Sequence, residues 1–175
     1  MALIKTVRGL TPKFGKNCYL AENATIVGEV EMGDDCSIWF SAVVRGDVNS
    51  IKIGNRVNIQ DGVILHTLYK KSAIEIGNDV SIGHNAVIHG AILKDNVLIG
   101  MGAIVLDDAV IESNTVVAAG SVVKSGTITD SYSIWAGIPA KKVKTITPAE
   151  AKEFITHTAE NYVMYAGWFQ EPEKK

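Results

Sequence analysis

An apolar residue returns at every sixth position through most of this chain. Phe14, Leu20, Ile26, Met32, Ile38 and Val44 follow one another at that interval. After a gap of nine come Ile53, Ile59 and Leu65, and after a gap of eleven Ile76, Ile82 and Ile88. Five residues on, Leu93 restarts the beat, which continues through Ile99, Val105, Ile111, Val117 and Val123. The chain is 47% hydrophobic, so eighteen apolar marks in succession do not arise from the choice of frame.

Two neighbouring columns keep the same period. Glycine follows the mark at Gly15, Gly33, Gly54, Gly77, Gly83 and Gly100, and small or β-branched residues such as Cys18, Ala24, Cys36, Ala42, Val63 and Ala86 stand two places before it. Residues two apart on a strand share a face, so both columns point inward. Six residues then make one short strand and a corner, and three such units close a triangular coil. A sandwich of short strands has no reason to hold a strict six-residue interval. The pattern predicts an all-β fold, a parallel β-helix of hexapeptide coils, over residues 1–146.

The marks group into six coils, 14-20-26, 32-38-44, 53-59-65, 76-82-88, 93-99-105 and 111-117-123. Both long gaps fall between coils, as the insertions RGDVNS after Val44 and HTLYKKSAIE after Leu65. Insertions gathered at one corner of a solenoid often mark its working face. A less regular stretch from Lys124 to Ile146 leads to a terminal segment, 147–175, that opens Thr147-Pro148-Ala149-Glu150. That is a capping box with proline at the first helical position. Phe154, Thr158, Tyr162, Tyr165 and Phe169 recur at helical spacing, which predicts a C-terminal α-helix packed along the prism.

The register places the histidines. His66 follows Leu65 and His89 follows Ile88, so they share a column on successive coils, with Arg45 one coil earlier. Stacked parallel strands lie about 4.8 Å apart, so two outward imidazoles there can share one metal at ~2.0–2.1 Å from each nitrogen. His84 follows Gly83 on the second face, roughly 15 Å along the chain from His89. It cannot join the pair within one chain, but three prisms around a threefold axis would bring it there from a neighbour. Gln60, with Asn58 two places before it, enters the same cleft. Three neutral imidazoles leave a fourth position open, as in a catalytic zinc site. His157 has no such context and reads as a surface residue. Arg45 and Asp47 either hold subunits together or orient an anion; a structural pairing across the interface is the favoured reading.

Cys18 and Cys36 are eighteen residues apart in one inward column and read as small core thiols. A net charge of −2 gives no basic face for nucleic acid. The opening MALIKTVRGL has no long apolar stretch, and no run reaches the ~18 residues of a membrane span. Cytoplasmic residence, with no membrane partner, is the expectation.

The motifs VVRGDVNSIKIGNRVNIQDGVILH, SIGHNAVIHG and LIGMGAIVLDDAVI resemble the γ-class carbonic anhydrase family along essentially the whole chain. The resemblance implies a left-handed helix and a homotrimer with a metal at each interface. His66 and His89 would come from one chain and His84 from its neighbour. Zinc is the usual metal, with ferrous iron or cobalt also accepted. A metal-bound hydroxide would attack CO2 to give bicarbonate, Gln60 would hydrogen-bond it or the product, and Asn58 would orient Gln60. Arg45 and Asp47 would organise the interface, and Tyr162 matches a helix tyrosine near the metal.

Two departures from the active archaeal type stand out. TLYKKSAIE is short and basic where that type carries a proton-shuttling glutamate, and Val48 stands where it has another. Low activity is therefore expected. SIWAGIPAKKVK also resembles the closing segment of hexapeptide acyltransferases, which makes an acyltransferase one alternative. A non-catalytic, metal-stabilised assembly or regulatory trimer is the other.

Overall fold

The structure is a computed structural model that describes residues 1–170. It is a parallel β-solenoid of short strands, closed by one terminal helix. The marked residues are its inner wall: all of them except Phe14 and Leu20, in the first coil, are buried. The second inward column, including Cys36, Ala42, Val63, Val80, Ala86 and Ala103, is buried with them. Most strands are only two or three residues long because the chain turns at every sixth position, whereas Thr25–Met32 and Val43–Ile53 continue around a corner from the third face to the first. The turns use left-handed backbone, supplied mainly by glycine, as at Gly62 and Gly90, and by Asn or Asp, as at Asn17, Asp35, Asp79, Asn85, Asn96 and Asn114.

The three faces differ outside the wall. On the first, Lys13–Phe14, Glu31–Met32, Lys52–Ile53 and Glu75–Ile76 pair in parallel, with Lys13, Glu31, Lys52 and Glu75 exposed. The second stacks Tyr19–Leu20, Ser37–Ile38, Asn58–Ile59, Ser81–Ile82, Val97–Ile99 and Thr115–Val117. The third stacks Thr25–Val27, Val43–Arg45, Ile64–His66, Val87–His89, Ile104–Val105 and Val122–Val123.

The solenoid extends past both ends of the repeat read from sequence. Leu3–Lys5 adds a strand to the third face beside Thr25–Val27. The less regular stretch holds another rung on the second face, Ser133–Gly137, beside Thr115–Val117. An antiparallel return, Ala140–Thr145, then ends that sheet.

The helix begins where the capping box places it. Thr147 Oγ1 accepts from the Glu150 amide at 3.2 Å, and Glu150 Oε2 accepts from the Thr147 amide at 2.8 Å. Its buried face differs from the expected one. Phe154 and Phe169 are exposed, while Ala151, Ile155, Ala159 and Ala166 are buried. The α-helical turn Pro148–Ala151 widens into a π-helical stretch, Lys152–Thr156, before the α-helix His157–Gln170. That wide turn shifts the inward face by one residue, and Ile155 seats with Ile146 and Ala151 against Leu98, Val116 and Ile134. The final five residues of the expected helix segment, 171–175, lie outside the described residues.

Because the core inside the coils is narrow, it tolerates little loss. Ile88 is fully buried beneath His89. Ile88→Ala should lower unfolding stability by about 2–5 kcal/mol, the range for large-to-small core changes, as read by denaturant titration.

Candidate metal centre

Register sets the site. Arg45, His66 and His89 are direct partners across adjacent strands of the third face. The two imidazoles meet, with His66 Nδ1 3.1 Å from His89 Nε2. Two nitrogens bound to one tetrahedral ion at ~2.0–2.1 Å would lie roughly 3.4 Å apart, so the pair is spaced to share a cation.

The hydrogen bonding around the pair fits a metal ion. The Nδ1 of His89 lies 2.9 Å from both oxygens of Asp107, so its hydrogen goes to that carboxylate and its Nε2 is a lone pair. His66 Nε2 and Asp47 Oδ1 are buried without a hydrogen-bond partner, and they stand 3.3 Å apart. A bare lone pair on Nε2 facing a carboxylate oxygen would be repulsive, so the His66 hydrogen belongs on Nε2. Burial lowers the His66 pKa, and the nearby Arg45 charge lowers it further, so a second proton is disfavoured. With these tautomers two lone pairs converge between the rings. A shared cation resolves that arrangement.

His84 is placed on the second face, away from this pair, as the register requires. Its Nδ1 contacts Asp61 Oδ2 at 2.8 Å, which leaves Nε2 free. Among the described residues, no group of three or more His, Cys, Asp or Glu side chains in one chain is arranged to hold a metal ion.

Gln60 and Asn58 stand beside His84 and are buried. The Gln60 Oε1 accepts from the His84 amide at 3.2 Å, and Gln60 Nε2 donates to Asn58 Oδ1 at 2.9 Å. Asn58 Nδ2 in turn donates to the Ser81 hydroxyl at 2.7 Å. This chain fixes the amide of Gln60 and leaves one of its two Nε2 hydrogens uncommitted.

Arg45 Nη1 reaches Asp47 Oδ2 at 2.6 Å within the chain, where the favoured reading had the two paired across an interface. Burial pushes the Asp47 carboxyl up, but Arg45 outweighs it and the net shift is downward. Tyr162 lies on the His84 side. It packs edge-on against Trp39 at 5.4 Å and lines a cavity of about 350 Å3 with Asp61, Tyr165 and Phe169. Burial, with the Asp61 charge behind it, pushes its hydroxyl to about 12, so Tyr162 is a neutral donor near pH 7. Cys18 and Cys36 are free thiols, and the metal-ligand candidates do not include them.

Sequence reasoning had not singled out the carboxylates that back the histidines, Asp61 and Asp107. Both stand within the family motifs, Asp61 directly after Gln60 and Asp107 two places after a mark. It also passed over a stripe on the third face. From the second coil onward, the outward position before each third mark holds Val43, Ile64, Val87, Ile104 and Val122, all half-buried in the single chain. The first face is charged over its first four rungs and turns apolar only at Ile92 and Val110, and the helix covers part of the second, whereas the row beside the histidines is apolar from Val43 onward and left uncovered.

Fold and site together define a hexapeptide-repeat solenoid with a histidine centre on one edge. A family model for the bacterial transferase hexapeptide, described as six repeats, matches residues 90–125. A carbonic anhydrase of Geobacillus kaustophilus is 42% identical over 151 residues, covering 86% of this chain and 82% of that one. The mitochondrial gamma carbonic anhydrase 2 of Arabidopsis thaliana is 40% identical over 161 residues, 89% of this chain and 58% of that longer protein. The crystal structure of a hexapeptide transferase family protein from Anaplasma phagocytophilum superposes with a TM-score of 0.90 at 37% identity, covering 95% of this chain and 98% of that one. The chain belongs to the γ-class carbonic anhydrase family.

Proposed function

We propose that the protein catalyses the reversible hydration of CO2 to bicarbonate at metal sites shared between the subunits of a homotrimer. The observation that carries this reading is the His66–His89 pair, spaced at 3.1 Å for one ion but without a third ligand among the described residues of its own chain. His84 of a neighbouring chain would complete the set, with its Nε2 free because Nδ1 is held by Asp61. The apolar row from Val43 to Val122 supports self-association along the same edge. Zinc suits three imidazoles, and ferrous iron or cobalt would suit them too. When bound, such an ion supplies Lewis acidity that brings the pKa of water to about 7.

The chain's own residues do the rest. Gln60 is held by His84 and Asn58 so that its free Nε2 hydrogen can be donated to an oxygen of substrate or product. Arg45 is held by Asp47 and offers positive charge to bicarbonate. Tyr162, neutral and on the His84 side, contributes to the wall of the cleft. Proton export is the weak step, because the loop after His66 carries Lys70 and Lys71 and no carboxylate shuttle.

The test is stopped-flow CO2 hydration by anaerobically purified, zinc-loaded protein beside a chelated control. The expected result is zinc-dependent hydration whose rate rises with buffer concentration, since the buffer must carry the proton. Stoichiometric zinc without hydration would favour the non-catalytic assembly. An acyltransferase would instead show zinc-independent acyl transfer.

A further inference from the structure

The loop between the first metal-ligand histidine and the next coil is tied to the site by one side chain. Residues 67–73 form a tight turn in which the Leu68 amide donates to the Ser72 carbonyl at 3.2 Å and the Lys71 amide to the Leu68 carbonyl at 3.1 Å. Leu68, Tyr69, Lys70 and Lys71 are exposed at its tip, whereas Ser72, at its far end, is 4% exposed. The Ser72 hydroxyl donates to Asp107 Oδ1 at 2.5 Å. Asp107 sits one coil further on and accepts from His89 Nδ1 through both oxygens at 2.9 Å. A continuous chain of hydrogen bonds therefore runs from the basic turn, through Ser72 and Asp107, to His89.

Local backbone is shaped to permit this. Gly90 has a left-handed φ of +57°, and a Cβ there would overlap both the Ser72 hydroxyl and the Asp107 carboxylate. The glycine that follows His89 thus leaves space for the carboxylate and hydroxyl behind the ring.

We propose that Asp107, anchored by Ser72, is a positioning residue that aims the His89 lone pair at the metal and couples the loop 67–73 to metal occupancy. The proposal rests on the reading of the His66–His89 pair as metal ligands. A carboxylate behind a ligating imidazole fixes its tautomer and raises its basicity, and removing such a partner typically weakens metal binding about 10- to 100-fold. The ion that draws on His89 also tightens its bond to Asp107, and through Ser72 the loop is held with it.

Two variants and two readings test this. Zinc affinity is measured by competition with a chromophoric chelator, and loop opening by the rate of tryptic cleavage after Lys70 and Lys71. In the wild type, zinc should slow that cleavage severalfold. Asp107→Asn should bind zinc about 10- to 100-fold more weakly while its metal-free thermal midpoint matches the wild type. Ser72→Ala should retain most of the affinity but be cleaved at the same rate with and without zinc, and it serves alone if Asp107→Asn does not fold. Unchanged affinity in Asp107→Asn, or zinc protection that survives in Ser72→Ala or is missing from the wild type, overturns the proposal. A wild-type chain that binds no zinc overturns the reading of the site as well.

Discussion

On the proposed trimer, Ile104→Asp combined with Val122→Asp should convert the protein to monomers and remove zinc binding together with assembly. Both side chains point outward on the third face, one rung apart, with the inward Val105 and Val123 beside them. Aspartate at these positions is harmless in a lone chain, because it meets water and the inner wall is unchanged. In an assembly that covers the row, each chain would bury two carboxylates among valine and isoleucine. Burying an unpaired charge costs several kcal/mol even after relaxation, and a closed trimer repeats the cost at every interface. Sedimentation velocity should therefore show a monomer with an unchanged β-sheet circular dichroism signal. Neither substitution touches His66 or His89, so a fall in zinc affinity of more than about 100-fold, beyond the loss of an outer partner, would come from the missing neighbour. A trimer that persists places the interface on another face.

Much of this was legible in the sequence, for a physical reason. A strict six-residue period fixes the inward positions of every rung, and with them which residues are neighbours on adjacent coils. Leu65 and Ile88 set His66 beside His89, and the same frame sets Arg45 beside them and His84 apart. The insertions did not obscure this, because both fall at one corner and leave the register intact on either side.

What the period does not control was harder to read. Asp107 reaches His89 from a corner, and Ser72 reaches Asp107 from a loop whose path no repeat specifies. The row from Val43 to Val122 was present in the residue types, yet β-branched residues are ordinary in strands. Only the contrast between faces, one charged over its first four rungs, one partly covered by helix and one apolar from Val43 onward, gives the row its meaning. The helix face was misread because periodicity assumes one pitch throughout. The π-helical stretch at Lys152–Thr156 breaks that assumption and seats Ile155 where Phe154 was expected.

The second large effect concerns the division of the site between chains. His84→Ala and His66→Ala should each abolish high-affinity zinc binding while leaving the coil folded. In both cases the substituted ring points away from the inner wall. The two defects differ in which chain carries them. A shared site takes His66 and His89 from one subunit and His84 from the next. In randomly mixed trimers a site is complete when the first subunit is of the His84→Ala type and its neighbour of the His66→Ala type, which is one arrangement in roughly four. No such rescue is available to a site built within a single chain.

Zinc content of mixed trimers is thus the most direct measurement. The two variants are unfolded together, refolded at equal concentration, and assayed for tightly bound zinc beside each parent treated alone. A shared site predicts parents near zero and a mixture that regains about a quarter of the wild-type content. A mixture holding no more zinc than its parents would contradict the sharing of each site between two chains.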